Sequence, residues 1–386
     1  MAAPIIGRTA TAQNPETRCL KVRFFMVPLL VSANFNETEV QMTTSTSISH
    51  LSPVRWGILG ASRFAQTKSV PGMMKSALVQ VVALASRDLS KAQAAATALG
   101  IPRAFGSYEA LLADPEIEAI YIPLPNHLHI PWALAAVQAG KHVLCEKPLA
   151  MTAVDIAPLV AAQANGSCLV AEAFMVRTHP QWQAARKMVQ IGRIGTVRAF
   201  SCSFSYTNTD PTNIRNKRDI GGGALYDIGC YPINTARFIL GREPLRVTAT
   251  CDRDPQTTVD RLTTGIMDFG DVHAAFTVGT QHVPYQRVQI LGTQGRIDIE
   301  IPFNAPPDRG CRLWVDPGID VFGTGIEEVS FPVIDQYAQQ AESFSISIRT
   351  GAPYENGLAD AAANARVLDA MFRSIERGSW ETLPAQ

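Results

Sequence analysis

The sequence predicts two domains in tandem: a doubly wound α/β domain, then a domain built on a large, open, mostly antiparallel sheet. Three observations predict it. Between Val54 and Met175, short apolar runs alternate with helix-compatible segments, the rhythm of βαβ units around a parallel sheet buried on both faces. After Met175 that rhythm gives way to successive strands with few long helices between them. A chain of 386 residues is also too long for one ordinary hydrophobic core.

Taken in order, residues 1–52 stand apart. They mix Thr, Ser, Asn and Gln, and read as a disordered leader or a mis-assigned start, with Met42 an equally good initiator. Within them "FFMVPLLVSA", preceded by Arg18, Lys21 and Arg23, is too short to span a bilayer. A secretory segment ending at Val31-Ser32-Ala33 is the alternative, although Pro28 interrupts the run. Residues 53–175 form the first domain. Its strands are "VRWGILG", "LVQVVALAS", "EIEAIYIPLP", "KHVLCEKP" and "SCLVAEAFM". Its helices are "SRFAQTKSVPGMMKS", "LSKAQAAATALG", "HIPWALAAVQAG" and "TAVDIAPLVAAQANG", the second closed by a glycine. Residues 176–386 form the second. The helix "HPQWQAARKMVQIG" precedes the strand "TVRAFSCSFSY", and the Gly-rich "DIGGGALYDIGCYPINTARFILG" holds another helix. Six strands follow, "LRVTATCDR" to "CRLWVD", before the amphipathic "ADAAANARVLDAMFRSIERG".

Composition narrows the function. Lys+Arg and Asp+Glu balance at 34 each, so no global field favours nucleic acid or an anionic membrane, and no basic stripe is interleaved with aromatics. The seven cysteines form neither a CxxC nor a Cys/His cluster at zinc spacing, so no metal site is expected. Cysteines scattered in apolar runs suit a reducing, cytoplasmic setting; a secreted or periplasmic location is the alternative if the leader is a signal peptide.

The chemistry starts at "GILGASRFA". Gly60, Ser62 and Ala65 occupy the three glycine positions of a dinucleotide fingerprint, between a strand and a helix whose head offers free N–H groups to a pyrophosphate. Serine in the second place is a small departure, since its hydroxyl can bond a phosphate oxygen. At the end of the next strand, "ALASRDLSK" puts Ser86 and Arg87 where an NAD-preferring site carries a carboxylate. Asp88 comes late and reads as a helix cap. A guanidinium there suits a 2′-phosphate, so NADP is favoured, with NAD as the alternative.

Lys147 ends a strand, where ligands of open α/β sheets bind, and Pro148 restricts the backbone beside it. Partial burial is expected to lower its pKa. Glu146 should point elsewhere and anchor cofactor or backbone. Asp227 and Tyr231 are four apart and share one side of a helix, with Tyr226 pointing away. An ammonium beside Tyr231 would favour its phenolate, which could take a hydroxyl proton as hydride leaves, while Asp227 grips another hydroxyl. A buried, hydrogen-bonded tyrosine is the plainer reading.

Together, "GILGASRFA", "PLPNHLH", "AGKHVLCEKPLA", "EAFMVRTHPQ" and "GGGALYDIGCYPINTARF" resemble the Gfo/Idh/MocA family of NAD(P)-dependent oxidoreductases from about Val54 onward. The resemblance implies a Rossmann domain and a substrate domain whose open sheet commonly dimerises, giving a homodimer or homotetramer. It implies that Lys147 is catalytic, with Asp227 and Tyr231 at the substrate. It places Pro125 and Asn126 at the nicotinamide ribose, and groups Arg63, Phe64, His129, Glu146 and Lys147 with Gly60, Ser62, Ser86 and Arg87 as cofactor contacts. Arg177 and His179 of "VRTHPQ" resemble cleft positions; either a sugar contact or a helix-start role fits. Many members carry histidine where Tyr231 stands. Tyrosine resembles the branch of glucose–fructose oxidoreductase, xylose dehydrogenase and dimeric dihydrodiol dehydrogenase. That branch implies NADP and an aldose or similar cyclic polyol. A dihydrodiol or dicarbonyl oxidoreductase and a non-catalytic nucleotide sensor remain the alternatives.

Overall fold

A computed structural model describes residues 50–164 and 166–384. The expected leader lies outside the described residues up to residue 49, as does Cys19. Six strands run parallel: β1 (Val54–Leu59), β2 (Val79–Ala85), β3 (Arg103–Phe105), β4 (Ala119–Ile122), β5 (His142–Glu146) and β6 (Val170–Ala173). Their order is β3-β2-β1-β4-β5-β6, so the direction of winding reverses between β1 and β4 and leaves a crevice beyond their carboxyl ends. Every residue of β4 and β6 is buried, which is why neither shows polar alternation.

Five helices accompany this sheet: α1 (Val70–Met73), continuous with a wider π-type turn at Ala65–Ser69, α2 (Leu89–Leu99), α3 (Tyr108–Leu112), α4 (His129–Gln138) and α5 (Ala157–Ala164). Asp88 caps α2 by accepting from the N–H of Ser90 at 2.9 Å and of Lys91 at 3.3 Å, and Gly100 closes it at φ +69°. The sequence reading does not resolve β3 and α3. Each is too short to display a period of its own.

The second sheet has nine strands: β7 (Val197–Thr207), β8 (Arg246–Arg253), β9 (Asp260–Asp268), β10 (His273–Gly279), β11 (Gln281–Gly292), β12 (Arg296–Ile299), β13 (Cys311–Asp316), β14 (Glu327–Phe331) and β15 (Glu381–Thr382). They are ordered β14-β13-β12-β11-β7-β10-β9-β8-β15, antiparallel throughout except for the parallel pair β7 and β10. Alternation assigns the faces. In β10, Ala274, Phe276 and Val278 are buried while His273, Ala275 and Thr277 are exposed. Helices α6 (Pro180–Gln190) and α7 (Cys230–Leu240) supply Trp182 and Ile233 to the same core as those inward residues.

The last two helices, α8 (Gln336–Thr350) and α9 (Leu358–Arg377), return to the first sheet. Ala341 and Phe344 pack with Trp56 and Ile58, whose indole N–H donates to Ser345 at 3.4 Å in the case of Trp56. Leu358, Ala361 and Ala365 join the opposite face of that sheet, while Val367, Leu368 and Met371 enter the second core. The sequence reading leaves α8 unassigned; its stripe is interrupted by Gln and Ser residues that are buried here. Among the described residues the cysteines are free thiols, no cluster of His, Cys, Asp and Glu could hold a metal ion, and no helix is long and apolar enough to cross a membrane.

Candidate active site

Lys147 follows β5 directly, and the peptide bond to Pro148 is cis. Two buried groups brace this corner from behind: a ring nitrogen of His129 lies 2.8 Å from the Pro148 carbonyl, and Glu172 accepts from the N–H of Leu149 at 2.7 Å. The Lys147 side chain points into a cavity of about 1110 Å³ lined by both halves of the molecule, including Ser62, Asn126, Glu146, Tyr206, Asp227 and Tyr231. Its Nζ donates to the main-chain oxygen of Asp227 at 2.6 Å and to Asp227 Oδ1 at 3.3 Å. It also lies 5.0 Å from the centre of the Tyr231 ring.

Asp227 belongs to a π-type turn, Leu225–Gly229, that leads into α7. The wider turn still sets Asp227 and Tyr231 toward the same cavity, as their spacing predicts. Tyr226 faces away, donating to the Met151 carbonyl at 2.6 Å. The electrostatics differ from expectation in three ways. Burial depresses the Lys147 ammonium, but Asp227, with help from Cys230 and Glu146, outweighs it, and the pKa ends above the ordinary lysine value. Burial pushes the Tyr231 phenol well above its usual range, and the Asp227 and Glu146 carboxylates add to this, so the neighbouring ammonium does not produce a phenolate. The hydroxyl contacts Met175 Sδ at 3.5 Å, inside a cage of Phe174, Phe204 and Phe303. Asp227 is not free to grip a substrate with both oxygens. Oδ2 accepts from Tyr206 at 2.6 Å and from Arg215 Nε at 3.0 Å. Although burial raises it, Arg215, Lys147 and Tyr206 hold this carboxyl well below the usual range.

Glu146 faces the cavity rather than away from it. It accepts from the Tyr121 hydroxyl at 2.5 Å, and burial, opposed by that bond and by Lys147, leaves its pKa raised. His129 is not a cavity residue. It is fully buried, with its second ring nitrogen 2.7 Å from the Leu124 carbonyl, and burial lowers its pKa to about 4. It therefore ties the ends of β4 and β5 together instead of touching cofactor. Arg177 is likewise not a substrate contact. It stacks 4.2 Å from the centre of the Phe238 ring and bonds Asn234 at 3.2 Å and Asp360 at 3.4 Å, deep between α7 and α9. His179 caps α6 by accepting from the Gln181 N–H at 3.3 Å.

The cofactor end follows the fingerprint. Gly60 sits at φ +115°, and a Cβ there would meet Leu124 Cδ2 at 2.8 Å. Ser62 Oγ accepts from the Ala65 N–H at 3.1 Å, and Arg63 and Phe64 line the cavity at the head of the helix. Pro125 and Asn126 line it after β4, and Asn126 Nδ2 donates to the Gly221 carbonyl at 2.8 Å, joining the two halves across the site. Ser86 and the exposed Arg87 end β2 beyond the cavity lining. A positive-φ glycine, an open helix head and an uncovered guanidinium at the next strand end fit a phosphorylated dinucleotide. Sequence reasoning missed Tyr206 and Arg215. Tyr206 looks like any strand residue, and Arg215 lies in an irregular stretch without a motif.

Two family models match the chain: "Oxidoreductase family, NAD-binding Rossmann fold" over residues 54–174 and "GFO/IDH/MocA C-terminal domain" over 182–298. An uncharacterised oxidoreductase of Rhizobium meliloti is 46% identical, covering 86% of this chain and 99% of that protein. A D-xylose 1-dehydrogenase (NADP+) of Haloferax volcanii is 35% identical over 84% of this chain and 98% of its own. Among solved structures, a 3-ketoreductase from Actinomadura kijaniata in complex with NADP and TDP-benzene superposes with a TM-score of 0.77 at 29% identity, covering 83% of this chain and 98% of that one.

Proposed function

The chain belongs to the Gfo/Idh/MocA family of NAD(P)-binding oxidoreductases, and from that premise we propose that it is an NADP-dependent dehydrogenase for an aldose or similar cyclic polyol. The nucleotide, when bound, supplies or accepts the hydride. The observation that carries the reading is the convergence of Lys147, Asp227 and Tyr231 on one cavity with the fingerprint residues Ser62, Arg63 and Asn126. Lys147 spends two N–H groups on Asp227 and keeps a third for the cavity. Tyr231, held as a neutral phenol, is a second donor. In the reducing direction both donors would stabilise the oxygen as it gains negative charge, and Tyr231 or Lys147 would give it a proton that solvent restores; in the oxidising direction the same group, having first lost its proton to solvent, would take the hydroxyl proton.

The wall beyond these groups carries Asn213, Arg215, Asn304 and Asp308 alongside Phe204 and Tyr206, a largely polar set suited to a ring bearing several hydroxyls. The activity for which the Haloferax relative is named agrees with a sugar and with NADP. The solved ketoreductase exists as variants of one lysine and of one tyrosine, separated in number as Lys147 and Tyr231 are, which supports pairing these two residues here. We assign residues 53–175 to the nucleotide and 176–386 to substrate and self-association. Free buried thiols are compatible with the cytoplasm as its location.

The test is a screen of aldoses, cyclic polyols and dihydrodiols with NADP+ or NADPH, using wild type, Lys147→Met and Tyr231→Phe. Lys147→Met should bind NADP as wild type does while losing at least ~10³-fold in turnover; Tyr231→Phe should lose ~10²–10⁴-fold. Nucleotide binding without turnover of any member of the panel by wild type would sink the proposal and favour a sensor.

A further inference from the structure

We propose that Arg215 is a positioning residue for hydride transfer: it keeps Asp227 a carboxylate fixed in place, and that carboxylate aims the Lys147 ammonium at the substrate oxygen. The inference rests on the reading of Lys147 given above. Its grounds are geometric. Asp227 Oδ2 accepts from Arg215 Nε at 3.0 Å and from Tyr206 at 2.6 Å, while Oδ1 and the main-chain oxygen both receive Lys147 Nζ. Two cations thus meet across one carboxylate, one on each oxygen.

Arg215 is held in place independently of that ion pair. It sits on a short turn, Ile214–Asn216, whose N–H groups are capped by Asn213, and its carbonyl accepts from the Gly223 N–H at 2.8 Å. A side chain at Gly222 would meet the Arg215 carbonyl at 2.6 Å. The triglycine segment therefore closes the Arg215 turn against the start of the turn that carries Asp227. Backbone and ion pair bind the same two residues.

The groups facing Asp227 are Glu146 at the end of β5, Lys147 just after it, Tyr206 on β7, Arg215 on its loop, and Cys230 and Tyr231 on α7. Without Arg215, one ammonium would serve two buried carboxyl groups, Asp227 and Glu146. Burial then favours the protonated acid at Asp227, and a protonated Asp227 no longer supports the ammonium. The signs follow. Loss of Arg215 raises the Asp227 pKa and at the same time removes a direct repulsion from Lys147, so it is the acid limb of the turnover profile that moves up in pH.

The experiment needs no substrate. Aspartate labelled with ¹³C at the carboxyl is titrated by NMR in the full chain loaded with NADP+, with the Asp227 resonance identified by its loss in Asp227→Asn. Arg215→Met should titrate at least ~1 pH unit above wild type, and Arg215→Lys close to wild type because the charge is kept. Arg215→Gln replaces the methionine variant if melting curves show that variant unfolded. With D-xylose, Arg215→Met should show an acid limb of the pH profile shifted upward and a kcat reduced ~10-fold or more, both recovered in Arg215→Lys. An Asp227 resonance that titrates identically in wild type and in the uncharged variants overturns the proposal. If wild type fails to oxidise D-xylose, the sugar assignment is weakened, and the NMR titration still decides the role of Arg215.

Discussion

Arg87 and Lys147 follow the carboxyl ends of two strands of the same sheet, β2 and β5, yet Lys147 is paired with a carboxylate of the protein while Arg87 is exposed. Arg87 is exposed beyond β2 with a hydrogen bond to the Tyr108 side chain, and we propose that a 2′-phosphate would be its charged partner. Replacing it with Ala should raise KM for NADP ~10-fold or more while changing KM for NAD little, because only the 2′-phosphate loses a paired guanidinium contact. Initial rates with both nucleotides check this; equal effects on the two would remove Arg87 from the 2′-phosphate. Lys147 is legible because a strand that ends in Glu-Lys-Pro at a sheet's carboxyl edge is an unusual pattern. Its charge state is not legible. That depends on Asp227, eighty positions away, and on Arg215 behind it.

At the scale of elements, the segment Gly221–Gly223 shows how backbone freedom positions a site. Gly221 and Gly223 take φ of +86° and +118°, and a Cβ on Gly223 would lie 2.0 Å from Asp260 Oδ1. Asp260 is buried and accepts from the N–H of Leu225 and from Thr263 Oγ1, both at 2.7 Å, so it anchors the head of the turn that bears Asp227. Gly223→Ala must displace one of them. We expect a loss of ~1–3 kcal/mol in denaturant unfolding, together with a lower kcat. Unchanged stability and turnover would show that the turn is not held there. The glycine run is visible in the sequence, but the carboxylate that makes Gly223 necessary is reached only after another strand has folded. The α2 cap illustrates the opposite case, since Asp88 and the amides it accepts lie within three residues.

For the whole molecule, the nine-stranded sheet leaves one face uncovered by its own helices. Thr264 and Ile266 on β9, Ala275 and Thr277 on β10, and Gln289 and Leu291 on β11 are exposed there, a mixture of small, polar and apolar side chains without a single sign of charge. We propose that this face pairs two copies into a homodimer or a homotetramer. The double variant Ala275→Glu, Thr277→Glu should then lower the mass measured by light scattering to that of one chain, with the melting temperature little changed if the fold stands alone. A wild type that already has the mass of one chain contradicts the proposal. Helices α8 and α9 carry the chain back across both sheets, which makes the cavity walls a property of the whole assembly of elements.

Much of this protein was determined by its sequence alone: the alternation of strands and helices, the dinucleotide turn at Gly60, the cap at Asp88, the lysine after β5, and the pairing of Asp227 with Tyr231 on one side of a turn. Each rests on periodicity or backbone geometry confined to about ten residues. Only the tertiary structure decided that Lys147 stays charged, that Tyr231 stays neutral, that Asp227 is held by Arg215 and Tyr206, and that Arg177 and His129 are braces outside the cavity. Protonation and partnership depend on burial and on charges drawn from separate elements, and those distances exist only once the chain has closed on itself.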